Sequence, residues 1–417
     1  MARRITLDFL KTETASGSVL GFAALAALIA ANSPWAADYF AALKSYLPIS
    51  IGDFTIRLTL SDWVKEGLMA LFFLIVGLEI KHEILKGELS DPRRLAAPVL
   101  AAAGGMIAPA LVYLKVAEWM GGPTAGWSIP VATDIAFAVA VFALVARGLP
   151  ASLRIFLLTL AIVDDLGAIL IIAAMFSQGV QTVPLAWALG GLIALGALAR
   201  QGRLGAPLWT LGFLWVWYFT LQAELSTSLA GVAFACIVPI NARVEGRRSP
   251  LKSAMEVLHP WVAFGVLPLF AFAKAGFSFA GLSFQDLLSP VALGIAAGLF
   301  LGKQAGVMIA TAFTVLTRLG KRPSNATWAE IYGVSLLCGV GFTMSLFIGA
   351  LAFPGALDSP IQSEVKLGVL SGSLASAVVG SVVLARCSAF RRRRERTARA
   401  ERYGDESPES LANIDLA

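Results

Sequence analysis

The chain has 417 residues, 57% of them hydrophobic and 14% charged, with a mean hydropathy of +0.76; a soluble domain is about 45–50% apolar and 25% charged, so a soluble enzyme is excluded. Long uninterrupted blocks of Ala, Leu, Gly and Val exclude a transmembrane β-barrel, whose strands alternate, and the fold class is an all-α polytopic membrane protein. The net charge of +6 does not indicate a nucleic-acid partner, because the basic residues sit in short loops and one tail.

A helix needs about 20 mostly apolar residues to cross the hydrocarbon. Twelve such blocks are centred near Leu25, Phe73, Gly105, Ile135, Leu166, Leu192, Leu214, Val232, Phe264, Ile295, Val340 and Leu374. Residues 1–14 are expected to form a retained cytoplasmic segment in which Ile5, Leu7, Phe9 and Leu10 lie on the membrane surface. Residues 15–386 form the transmembrane domain. Between the first two blocks, at about residues 48–60, apolar residues alternate around Gly52-Asp53, which reads as an outer β-hairpin. A lone hairpin has open edges, so a homodimer through it and packing on its own loops are both open. Residues 387–417 are basic and poor in apolar side chains, and are expected to be a disordered cytoplasmic tail.

Lys and Arg in short loops resist translocation. They fall on one side: Arg3, Arg4 and Lys11; Lys81, Lys86, Arg93 and Arg94; Arg147 and Arg154; Arg200 and Arg203; Arg243, Arg247, Arg248 and Lys252; Arg318, Lys321 and Arg322; and the tail from Arg391. The other side has little beyond Lys44 and Arg57, so both termini are expected to be cytoplasmic and the number of spans even. Cys236, Cys338 and Cys387 form neither a disulfide framework nor a zinc motif.

Four charges lie inside the apolar blocks: Asp134, Asp164, Asp165 and Lys303. Each costs about 2.5–3.5 kcal/mol at a helix centre, on the order of 10–14 kcal/mol together. Helix pairing accounts for one carboxylate with one ammonium, not for three carboxylates. Asp164 and Asp165 point about 100° apart, so one can pair with Lys303 while the other faces a water-filled cavity and holds a proton or a small cation. If both ligands compete for one carboxylate, a site exposed alternately to each membrane face exchanges them. Pro130 interrupts the fourth block and Gly339 with Gly341 the eleventh, a pattern of discontinuous helices at transport sites. In a membrane helix, glycine also serves close packing alone.

Six stretches in order resemble the NhaA family of sodium/proton antiporters: GLMALFFLIVGLEIK (67–81), PVATDIAF (130–137), IVDDLGAI (162–169), HPWVAF (259–264), LGKQ (301–304) and GVGFTMS (339–345). The resemblance covers roughly residues 8–385. It implies twelve spans, inverted repeats on spans three to five and ten to twelve, two crossed discontinuous helices, and electrogenic export of sodium or lithium against a larger number of protons. It implies Asp165 as the principal ion-binding carboxylate, Asp164 as its neighbour paired with Lys303, the two together holding the transported Na+ or Li+, and Asp134 with Thr133 at the crossing. Glu79, Lys81 and Glu83 would belong to a cytoplasmic funnel linked to pH activation, with His259 a further candidate. No cofactor is implied, only transported ions and membrane lipid, in the inner membrane of a bacterium. Ser226 stands where several members have histidine, Met255 and Glu256 where a glutamate is expected, Lys274 for a common Asn and Glu66 for a frequent Asp, so the pH profile is the property least carried over.

Other classes fit less well. An intramembrane aspartyl protease needs a Gly-x-Gly-Asp stretch that is absent around Asp134 and Asp164, and a lipid phosphotransferase needs carboxylates at the surface. A passive cation channel is opposed by Lys303, and a transporter of another monovalent cation stays open.

Overall fold

A computed structural model describes residues 2–51, 54–87, 92–146, 148–175, 179–201, 205–241, 249–279, 284–355 and 359–402. Gly52 and Asp53 of the expected turn, and Arg147, Arg203, Arg243, Arg247 and Arg248 of the basic loops, lie outside the described residues. Helix α1 (Ala2–Ala31) turns by 111° into the short α2 (Ala36–Lys44). The bend is held by Asn32, whose Nδ2 donates to the carbonyl oxygen of Leu28 at 2.8 Å and of Phe277 at 2.9 Å. There is no break near residue 14: with neither Gly nor Pro among residues 2–14, nothing stops the helix from running through.

Strands β1 (Tyr46–Ile51) and β2 (Phe54–Thr59) pair antiparallel, Ile49 opposite Ile56. Thr59 then caps a helical turn, its Oγ1 accepting from the Asp62 N–H at 3.1 Å, and a π turn (Trp63–Leu68) leads into α3 (Met69–Lys86). The helices that follow are α4 (Pro92–Met120), α5 (Ile135–Val145), α6 (Ala151–Met175), α7 (Thr182–Gln201), α8 (Ala206–Gln222), α9 (Ser228–Ile237), α10 (Pro250–Ala275), α11 (Pro290–Leu316), α12 (Trp328–Leu337), α13 (Phe342–Ala352) and α14 (Pro360–Arg402). Their starts carry N-terminal signals: Ser249 and Ser289 cap α10 and α11 ahead of a proline at the first helical position, and Thr327 with Glu330 forms a capping box on α12.

Among the described residues six helices are long and apolar enough to cross a membrane, and nine spans result if each bent pair is one. Three apolar helices fall outside that count for visible reasons. The second half of α3 carries Glu79, Lys81, Glu83 and Lys86, α8 has 17 residues and α9 has 10. The last helix runs past residue 386 as far as Arg402, so the part of the tail from 387 to 402 is helical rather than disordered. Ala, Arg and Glu are strong helix formers, and extending a helix already nucleated in the membrane adds one hydrogen bond for each residue fixed. Arg391 fastens this extension: its guanidinium donates to both carboxylate oxygens of Glu330, at 3.0 and 3.3 Å.

Glycine sets how closely the central helices approach. A Cβ at Gly104 of α4 or at Gly306 of α11 would collide with the other helix's backbone, so these two helices pack backbone to backbone.

Candidate functional site

The site begins with two broken helices. A 3-10 turn (Thr124–Val131) containing Pro130 is followed by extended residues Ala132 to Asp134 and then α5, with a bend of 43°. The second break separates α12 from α13 at Gly339 to Gly341, with a bend of 45°. A side chain at Gly341 would collide with Ser345, and one at Gly339 with Ser376 and the Leu299 carbonyl, so the second break is built from residues without a Cβ. Breaking a helix frees backbone groups that need partners. The two breaks satisfy each other: the Asp134 N–H donates to the Val340 carbonyl at 2.7 Å, and Thr133 Oγ1 donates to the Cys338 carbonyl at 2.7 Å.

Asp134 caps two helices at once. Its Oδ1 accepts from the Phe137 N–H of α5 at 3.0 Å, and its Oδ2 from the N–H and Oγ1 of Thr343 in α13, at 3.0 and 2.5 Å. One carboxylate thus offsets the positive ends of two facing dipoles. Ser373 of α14 accepts the remaining amides of that turn, Gly341 and Phe342, each at 3.2 Å.

Beside this junction α6 presents Asp164 and Asp165, and α11 presents Lys303; all three are buried. The Lys303 ammonium donates to Asp164 Oδ2, and Thr133 Oγ1 reaches the same oxygen at 2.6 Å. Neither oxygen of Asp165 has a hydrogen-bond partner among the described residues. Its nearest charges include Asp164, Asp134 and Glu79 of like sign, with Lys303 the opposing one.

Asp165 is connected elsewhere. It lines a cavity of about 350 Å³ with Asp134, Thr343 and Thr159, and the same cavity reaches Glu79, Glu83 and His259. Glu79 lies 3.7 Å from His259, and Glu83 lies 3.8 Å from His82. Asp164, Thr133 and Lys303 are not part of its wall. The structure therefore brings Asp165, Asp134, Glu79, Glu83 and His259 to one space and sets Asp164, Thr133 and Lys303 behind it.

Lys81 belongs to neither group. Its ammonium donates to the carbonyls of Cys236 and Val238, both at 2.6 Å, and of Ala235 at 3.4 Å, which caps the C-terminal end of α9. The other end of α9 meets Glu66, whose Oε2 accepts from Thr227 Oγ1 at 2.9 Å and from its N–H at 3.3 Å. A second cavity, of about 460 Å³, is lined by Lys65, Glu66, Glu224 and Ser226, which gathers two of the family departures at one place. Thr343 and Ser373 are site residues that no sequence signal marks. Thr343 sits in the quoted 339–345 stretch, but nothing in the pattern distinguishes its hydroxyl from the neighbouring Ser345.

Among the described residues no group of three or more His, Cys, Asp or Glu is arranged to hold a metal ion. The arrangement instead offers single carboxylates with hydroxyl and carbonyl oxygens around a break, a donor set suited to a hard monovalent cation or a proton.

Comparison with known proteins gives a family model described as Na+/H+ antiporter 1, which matches residues 7–384. The Na(+)/H(+) antiporter NhaA 2 of Pseudomonas syringae is 48% identical over 379 residues, 91% of this chain and 94% of its own. NhaA of Bordetella parapertussis is 48% identical over 381 residues, 90% and 95% of the two chains, and NhaA 1 of Syntrophotalea carbinolica 44% over 395 residues, 94% and 98%.

Proposed function

Since the chain belongs to the NhaA family of sodium/proton antiporters, we propose that it expels sodium or lithium across a bacterial inner membrane in exchange for a larger number of protons, by alternating access to Asp165. The observation that carries this reading is that, among the described residues, Asp165 is the one buried carboxylate with neither oxygen hydrogen-bonded, and yet it opens on the cavity. The exchange step balances at that group: a cation binds the carboxylate as the carboxyl proton leaves, and on the other face a proton binds as the cation leaves. Asp164 with Lys303 and Thr133 forms the neighbouring closed unit, and one of the pair carries the additional proton. Each net charge moved inwards at an inside-negative potential releases about 2.3 kcal/mol per 100 mV, so an exchanger taking in more charge than it expels drives sodium out.

In this reading the chain has twelve spans with both termini cytoplasmic, the charged α3 and the short α8 and α9 completing the count. The two broken helices are the crossed discontinuous pair of inverted repeats built on spans three to five and ten to twelve. Glu79, Glu83 and His259 govern entry to the cavity as a function of pH, while Lys81 acts on α9 rather than on the cation path. The chain is a transporter, not an enzyme, needs no resident cofactor, and forms a homodimer through β1 and β2. A passive channel is the second reading, and the buried ammonium of Lys303 beside the path opposes it.

The test uses inverted membrane vesicles holding a preformed proton gradient, with wild type compared with Asp165→Asn from about pH 6.5 to 9. Sodium is expected to collapse the gradient with the wild type alone. If sodium has no effect at any pH, or both proteins respond alike, Asp165 is not the coupling site.

A further inference from the structure

Lys303 follows directly on a π turn, Gly298–Gly302, in which its N–H reaches back five residues to the Gly298 carbonyl. Such a turn contains one residue more than an α-turn. Shedding that residue rotates everything beyond it by about 100°, which would carry the ammonium away from Asp164. Packing confines the turn on one side: a Cβ at Gly298 would meet the Pro130 ring at 2.8 Å, and one at Gly302 would meet Pro109.

On the other side stands Gln304, nearly buried, with both ends of its amide used. Its Nε2 donates to the Phe300 carbonyl inside the π turn at 2.6 Å, and its Oε1 accepts from the Tyr332 hydroxyl of α12 at 2.6 Å. Lys303 and Gln304 are adjacent and point about 100° apart, so a fixed Gln304 fixes the direction of Lys303. Because α12 ends at the break that Thr133 and Asp134 bind, Gln304 joins the turn that aims the ammonium to the helix that ends at the site.

We propose that Gln304 and Tyr332 form a strut that holds the π turn and keeps Lys303 aimed at Asp164, making both positioning residues for the exchange. The proposal rests on the antiport reading given above. The titratable groups facing Lys303 are Asp164 and Asp165 on α6 and Cys338 at the end of α12, with Asp134 beside Asp165. An ammonium held less closely stabilises the ionised carboxylates less, so sodium displaces the proton only at higher pH.

The test measures sodium-driven proton exchange across pH with the full chain for Gln304→Met, which is nearly isosteric, for Tyr332→Phe and for the double variant. Each single change is expected to move the midpoint to higher pH by about half a unit, and the double no further than the larger single. A lower maximal rate with an unmoved midpoint, or single shifts that add, overturns the strut. If Gln304→Met does not accumulate, Tyr332→Phe removes only a hydroxyl and decides alone, an unmoved midpoint overturning the proposal. Wild type inactive with sodium, or active alongside an equally active Asp165→Asn, fails the antiport reading instead.

Discussion

Asp164 and Asp165 are neighbours on one helix, equally buried, and differ in everything else. Asp164 Oδ2 receives an ammonium, lies 2.6 Å from the Thr133 hydroxyl oxygen, and sits behind the cavity wall. Asp165 receives no hydrogen bond from the described residues and faces the open space that runs to Glu79, Glu83 and His259. One turn step of about 100° separates a charge that is structurally consumed from one that is left for a ligand. Burial alone therefore does not distinguish the two carboxylates; the pattern of partners does.

The contrast is sharpest in a pair of neutralising substitutions. Asp165→Asn is expected to abolish sodium-dependent exchange while leaving thermal melting in detergent unchanged. Asp164→Asn leaves the Lys303 ammonium buried without its counter-charge, an effect of about 3–5 kcal/mol, and is expected to lower the melting temperature markedly. Equal melting of the two variants would erase the distinction between the two sites. A smaller effect is expected at Asp134, where alanine removes the cap of two helix N-termini at about 1 kcal/mol each; asparagine keeps acceptor capacity and should retain more of the stability. Melting of the two Asp134 variants checks this, and identical values would mean that the caps contribute nothing. The smallest effect belongs to Lys81→Met, which removes one C-terminal cap worth about 0.3–1 kcal/mol. Its pH profile is expected to move less than that of Glu79→Gln, and a shift as large would return Lys81 to the cavity.

What could be read in the sequence and what could not divide along the same physical line. Asp134, Asp164, Asp165 and Lys303 stand out because their apolar surroundings make a charge costly, and Pro130 because its ring removes a helix hydrogen bond; Gly339 and Gly341 are a weaker mark, since close packing alone also calls for glycine. These are local signals. Lys81 and the carbonyls it caps are more than 150 residues apart, and Gln304 and Tyr332 lie on different helices, so no periodicity links them. The family resemblance implies a funnel charge at Lys81 together with Glu79 and Glu83, but its side chain reaches the end of α9 and not the cavity wall. Residues 387–402 illustrate the opposite limit: their charge reads as solvated chain, although the helix they continue runs directly into them, and the Glu330 carboxylate that Arg391 meets lies 61 residues earlier.

The backbone contact between Gly104 and Gly306 also bears on insulation. A seam too narrow for one methyl group has no space for a water molecule, which needs a cavity of roughly 10–15 Å³ and polar partners. A Cβ added at Gly105, next along the same seam, would come within 3.9 Å of the Lys303 stem. Main chain thus packs against main chain on this flank of the buried ion pair, leaving no room for a water molecule between Gly104 and Gly306. In the proposed antiport, an exchanger driven by the membrane potential depends on that tightness as much as on its binding carboxylate, because a leak of uncoupled protons would dissipate the gradient that drives it.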